Sequence, residues 1–175
     1  RGLETGLSGL GLDPREAIQA LSIDRDEIQR ALRVPNDKRL SAIRTAFRAG
    51  LSLEEIHAIT YIDRWFLENM RELVDFEEEL RARPLTPELL REAKTLGYSD
   101  RQIACAASLT EDEVGALRAE HGIQPVYKLV DTCAAEFEAK TPYYYSTWED
   151  ETEARDSGKK KIAILGGGPN RIGQG

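Results

Sequence analysis

The sequence predicts an all-α helical domain of short helices around one long helix, followed by an extended connector and by the first strand and glycine turn of an α/β domain. Three observations carry this. Helix-start signals recur along the chain as far as Thr110, each followed by apolar residues at helical spacing. One stretch, Ile62 to Leu80, holds a helical pattern longer than the rest. From Pro125 the pattern breaks, and the chain closes with a short apolar run, IAIL, leading straight into GGGPNRIGQG.

Residues 1–12, RGLETGLSGLGL, carry glycine at positions 2, 6, 9 and 11 and read as a loop or the tail of a preceding unit. Helices then follow over 13–124. Asp13 with Glu16, Asp24 with Glu27, Ser52 with Glu55, Ser99 with Gln102 and Thr110 with Glu113 all fit capping boxes. In such a box a side chain at the N-cap and one three residues on each satisfy a free N–H. Thr86 before Pro87 is a further start, with proline at the first helical position. The stops agree: Val34-Pro35-Asn36, Pro84, and Gly50, Gly97 and Gly122 where left-handed residues would end helices. The expected helices lie near 14–21, 24–33, 37–49, 53–59, 63–82, 87–96, 100–107 and 111–120.

The long helix is the expected post of the domain, because short helices are marginal in water without a packing partner. Asp63 can cap its start. Ile62, Phe66, Met70 and Leu73 recur at spacings of three and four, and Trp65, Phe76 and Leu80 widen the stripe. Trp65 and Phe66 are therefore expected between neighbouring helices. Glu68, Glu72, Asp75 and Glu79 fall on the other side, and the run Glu77-Glu78-Glu79 is expected in solvent.

Beyond Pro125, PVYKLVDTC alternates and is expected to be extended. AAEFEAK is expected to form one or two helical turns. TPYYYSTWEDE sets three tyrosines and a tryptophan between turn residues, and such rings need a surface to lie on. Residues 125–148 thus form an aromatic connector, 149–161 a charged linker, and 162–175 the start of an α/β domain.

The chain has 175 residues, 41% hydrophobic and 31% charged, enough for a core without metals or disulfides. A net charge of −7 argues against nonspecific binding to nucleic acid or anionic membrane. Two cysteines, Cys105 and Cys133, form no CxxC and are expected as free thiols. No apolar run approaches a membrane span. Arg1 and the glycine-rich end both read as cuts, so a segment of a longer cytoplasmic protein is expected.

Few residues invite chemistry. A strand running into glycines suits a phosphate, since backbone N–H groups can close on it. Gly166, Gly167, Gly168, Asn170, Arg171 and Gly173 are the weak cofactor-binding candidates. Their spacing misses the dinucleotide fingerprint, and Gln174 and Gly175 stand where a P-loop needs Lys and Ser/Thr. Ser99 to Ile123 has the outline of a helix-turn-helix, but Glu111, Asp112 and Glu113 at the groove-facing end would repel phosphates. His57 and His121 lack partners at metal-ligand spacing. Arg39, Arg44 and Arg48 share a helix face and are expected to pair with the acids at the surface. No catalytic and no metal-ligating residue is assigned.

Several stretches together resemble the large chain of carbamoyl-phosphate synthase. PNDKRLSAIRTAFRAGLSLEEIHAITYIDRWFLENM, from Pro35, is similar to its helical middle region, and AKTLGYSDRQIA, from Ala93, continues the match. PVYKLVDTCAAEFEAKTPYYYSTWEDE, from Pro125, is close to a signature of that enzyme. KIAILGGGPNRIGQG, from Lys161, resembles the opening of its second synthetic half, and RGLETG the end of its first. Ala104 to Val114 is richer in alanine than the family's usual run, and Trp148 stands where tyrosine is commoner. The resemblance implies two ATP-grasp halves outside this segment, joined by a helical oligomerisation domain without catalytic groups. It implies a parent that uses two ATP, with Mg or Mn and K, bicarbonate and ammonia from a glutaminase small chain. Self-association as a dimer or tetramer, allosteric control and roles in arginine and pyrimidine biosynthesis follow from the same likeness. The alternatives are a helix-turn-helix nucleic-acid module, or a nucleotide-binding enzyme fragment using the Gly166–Gly173 turn.

Overall fold

A computed structural model describes residues 24–138, 143–155, 158–160 and 162. The expected start at Asp13, the helix near 14–21 and the glycine turn with its candidates Gly166, Gly167, Gly168, Asn170, Arg171 and Gly173 lie outside the described residues. Within them the protein is mostly helical, with seven helices and one small sheet. The helices are α1 (Arg25–Arg33), α2 (Arg39–Arg48), α3 (Leu53–Thr60), α4 (Arg64–Ala82), α5 (Pro87–Leu96), α6 (Asp100–Ala107) and α7 (Glu111–Glu120). Strands β1 (Val126–Leu129) and β2 (Tyr144–Thr147) follow.

The local signals act as the chemistry requires. Ser52, Ser99 and Thr110 each accept the N–H three residues on, while Glu55, Gln102 and Glu113 return the bond to the cap's own N–H. Thr86 accepts from Leu89 N–H at 3.3 Å, with Pro87 at the first helical position. Asp63 accepts from Trp65 N–H at 2.9 Å. Asp24 differs: its side chain makes no cap bond, and its carbonyl starts the helix instead. Gly97 at φ +103° ends α5, with Tyr98 N–H reaching back to Ala93 at 3.0 Å. Two helices end on left-handed residues that are not glycine, Tyr61 after α3 and Ser108 after α6, both at φ +56°.

Packing follows the apolar stripes. α1 lies on α2 and α3, while α4 touches α2, α3, α5 and α6, and α7 packs on α5 and α6. Leu32, Ile43, Ile56, Leu67, Leu90 and Ile103 are among the fully buried side chains of one continuous core. Each is worth roughly 1.5–3 kcal/mol in burial.

The long helix is rotated from the expected phase. Met70, Leu73, Phe76 and Leu80 are buried as expected, but Leu67, Val74 and Glu77 join them. Trp65 and Phe66 are not between helices; they remain 62% and 57% exposed. Leu67 sits one residue, or about 100°, from Phe66. It joins the core with Ile62, which precedes the cap Asp63, in the positions of a hydrophobic staple. That pair sets the phase, and it turns the two aromatics of the first turn outward.

The connector is not simply extended. β1 and β2 pair antiparallel, with Val126 opposite Thr147 and Leu129 opposite Tyr144. Val130 N–H continues the ladder to Tyr143 at 2.8 Å. The expected helical turns in AAEFEAK are not seen over its described part, Ala134 to Glu138. Asp131 instead accepts from Cys133 N–H at 2.9 Å and Ala135 N–H at 2.7 Å. That turn holds Ala134 and Ala135 at positive φ, which a helix cannot use.

Candidate functional site

Three clusters of polar and aromatic side chains are built on this frame. The first lies inside it. Glu77, on α4, is 3% exposed and accepts from Arg44 of α2, with Nε at 3.1 Å and Nη2 at 2.7 Å. Arg81 adds a bond at 2.8 Å, and Arg48 stands 3.9 Å away. The acidic run is therefore not wholly solvated. Glu77 turns inward because 70, 74 and 77 continue the buried face, while Glu78 and Glu79 turn out. Arg44 and Arg48 do pair with acids, but Arg44 is buried rather than at the surface. A buried pair of this kind holds α2 in register on α4 more than it adds net stability.

The second cluster fastens the hairpin to the helices. Trp148 lies under Lys94 Nζ, 4.5 Å from the ring centroid, and under the Arg118 guanidinium at 5.2 Å. Asp100 accepts from both cations, from Lys94 at 2.8 Å and from Arg118 at 2.6 Å and 2.9 Å. Burial opposes the charge on Asp100, but the Arg118 and Lys94 hydrogen bonds outweigh it and hold the carboxyl below its usual range. Burial also pushes the Lys94 ammonium down, against the pull of Asp100. Beside Trp148 a surface cleft of about 480 Å³ is lined by Arg91, Thr95, Lys128, Glu149 and Glu151 among others.

The third cluster faces solvent at the α3–α4 corner. Tyr61 is held out at 85% exposure by its left-handed backbone. Trp65 and Phe66 follow, edge to face with ring centroids 5.0 Å apart. Below them His57 Nδ1 donates to the Ile62 carbonyl at 2.7 Å, and its Nε2 accepts from Arg64 at 3.1 Å. Arg64 also bridges to Glu54 at 2.7 Å. His57 thus staples the corner. Arg39 on α2 donates to the Thr60 carbonyl at 3.0 Å and ties the α2 start to the same corner.

No group of His, Cys, Asp and Glu among the described residues could hold a metal ion. Cys105 and Cys133 are free and half-buried. In the helix-turn-helix outline, α6 and α7 pack on each other as bundle helices, with Glu111, Asp112 and Glu113 in the first turn of α7. Sequence reasoning missed the Trp148–Lys94–Arg118 cluster and the Glu77 site. Neither has a local signal for its key contact: Arg44 is 33 residues from Glu77, and Lys94, Arg118 and Trp148 lie far apart in the chain.

A family model described as carbamoyl-phosphate synthetase large chain, oligomerisation domain, matches residues 1–122. The chain belongs to this oligomerisation-domain family. The match takes in α1 to α7 and stops before the hairpin. Similarity to carbamoyl phosphate synthase large chains runs across the whole chain: 53% identity to that of Nostoc sp., 50% to that of Archaeoglobus fulgidus, and 49% to the arginine-specific chloroplastic form of Arabidopsis thaliana, each over 100% of this chain. The chain spans 15–16% of the length of these relatives. No helix among the described residues is long and apolar enough to cross a membrane.

Proposed function

We propose that this chain is the non-catalytic spacer and self-association region of an ATP-dependent carbon–nitrogen ligase, the large chain of a carbamoyl-phosphate synthase. The observation that carries the reading is the oligomerisation-domain match over residues 1–122. The parent makes carbamoyl phosphate from bicarbonate, ammonia released by a glutaminase small chain, and two ATP. Its ATP-grasp halves, with their Mg or Mn and K, lie outside this segment, as do allosteric control and the supply of arginine and pyrimidine pathways. The parent works in the cytoplasm, without membrane or nucleic-acid partners.

Residues 1–12 end the first synthetic half, and 13–124 form the helical domain with α4 as its post. Residues 125–148 connect, 149–161 link, and 162–175 open the second half. The Gly166–Gly173 turn belongs to that α/β unit and is not its main nucleotide grip. Within the helical domain the Glu77–Arg44 pair fixes register, and the Tyr61–Trp65–Phe66 corner is surface left for contact. Sedimentation of the full large chain across concentration tests the assembly. A dimer or tetramer that dissociates on dilution is expected, and a strict monomer at all concentrations would overturn self-association.

A further inference from the structure

The hairpin has two unlike faces. Val126, Lys128, Tyr145 and Thr147 share one, by register; Thr147 is buried and Lys128 largely covered, while Tyr145 stays 49% exposed. Tyr127, Leu129, Tyr144 and Ser146 share the other. That face carries Tyr127 at 48% and Tyr144 at 43% exposure, and Phe137 stands out from the adjoining turn. Together they show about 300 Å² of ring surface, taking aromatics at roughly 200 Å² each. This is about one partner's share of a small interdomain interface, roughly 600 Å² in all.

The course of the chain indicates what covers it. After Trp148 the backbone folds back along the outer edge of β1. Glu153 N–H donates to the Tyr127 carbonyl at 2.8 Å, and the Glu153 carboxylate accepts from Leu129 N–H at 2.7 Å. That edge is filled, so a partner meets the face and not an open edge there. Arg155 then pairs with Glu138 at 3.0 Å and lies close enough to Tyr144 to interact with it electrostatically. The chain thus leaves beside the tyrosines. Ile162 comes seven residues later, at most about 25 Å of extended chain. A unit tethered this closely meets the face at high effective concentration. Tyrosine suits such a contact, with an apolar body and a polar tip.

We propose that the outer face of the β1–β2 hairpin, with Tyr127 and Tyr144, and Phe137 of the adjoining turn together seat the α/β unit that begins at Ile162 of the same chain. This rests on the reading of 162–175 as the start of an α/β domain. It makes the hairpin the joint that fixes the second half on the helical spacer.

The test uses the full-length large chain. Tyrosine nitration is followed residue by residue by mass spectrometry, in buffer and in denaturing urea. Tyr127 and Tyr144 are expected to react at least about ten-fold slower in buffer, well beyond what half exposure alone explains. The paired change Tyr127→Ser and Tyr144→Ser is expected to speed tryptic cleavage at Lys159 to Lys161 by about ten-fold, with phenylalanine at both positions keeping the slow rate. Hydrogen exchange over 162–165 separates the two readings. Protected amides there together with freely nitrated tyrosines would overturn the docking alone. Unprotected amides would overturn the α/β reading and the docking with it.

Discussion

Glu77→Gln is the perturbation that probes the frame most sharply. The glutamine keeps the shape and removes the charge. Arg44, 4% exposed, is then left buried against a neutral amide, in place of a carboxylate that took three of its contacts at 2.7–3.1 Å. Removing one partner of a buried pair costs about 3–5 kcal/mol. Arg81 is 30% exposed, so water softens the loss, and the lower end, about 3 kcal/mol, is expected. At an m-value near 2 kcal/mol/M this lowers the urea midpoint by about 1.5 M. Helical circular dichroism during urea titration reads it. Glu78→Gln is the control: Glu78 is 58% exposed and 3.7 Å from Arg48, so its loss costs under about 1 kcal/mol. Glu77→Leu with Arg44→Met should fall within about 1 kcal/mol of the parent sequence, since neither charge is stranded. Equal midpoints for Glu77→Gln and Glu78→Gln would refute the reasoning.

The rotation of α4 predicts an inverted order of cost: Leu67→Ala, fully buried, should lose about 3 kcal/mol and Trp65→Ala about 1–2, measured by the same titration. Asp100 supplies a pH dependence. Its folded pKa lies below the unfolded one, so its stabilisation is present above about pH 4 and is lost as pH falls through the folded value. Asp100→Asn should therefore be less stable at pH 7, with a flatter stability curve as pH falls below about pH 4, read by denaturation at each pH. Trp148→Ala removes the seat of Lys94 and Arg118, worth roughly 1–2 kcal/mol. The amides of Val130 and Glu153 should then exchange about ten-fold faster while α2 and α4 amides hold their rates.

What could be read from sequence was local. Ser52, Ser99 and Thr110 each declare a cap within three residues, and Gly97 and Gly122 need only their own φ. Tyr61 and Ser108 escaped notice because they adopt glycine's conformation without being glycine. Trp65 and Phe66 were misleading because aromatic size signals burial. The helix phase was set by Leu67 and Ile62, whose weight depends on neighbours that periodicity does not contain. Glu77 looks identical to Glu78 and Glu79 until Arg44, 33 residues away, is brought against it. The hairpin carries no two-residue turn signal, since residues 130–143 separate β1 from β2 and Asp131 shapes the turn that follows β1. The family was legible for a different reason, the resemblance of whole stretches in the right order, and the site chemistry added little to it.

The central claim is that this helical region positions and joins but performs no chemistry. ATP turnover and carbamoyl-phosphate formation by the purified 175-residue chain, with bicarbonate, ammonia and magnesium present, test it most directly. The account predicts rates equal to those of the protein-free blank. Phosphate release or carbamoyl phosphate above the blank that scales with chain concentration and survives further purification would contradict it.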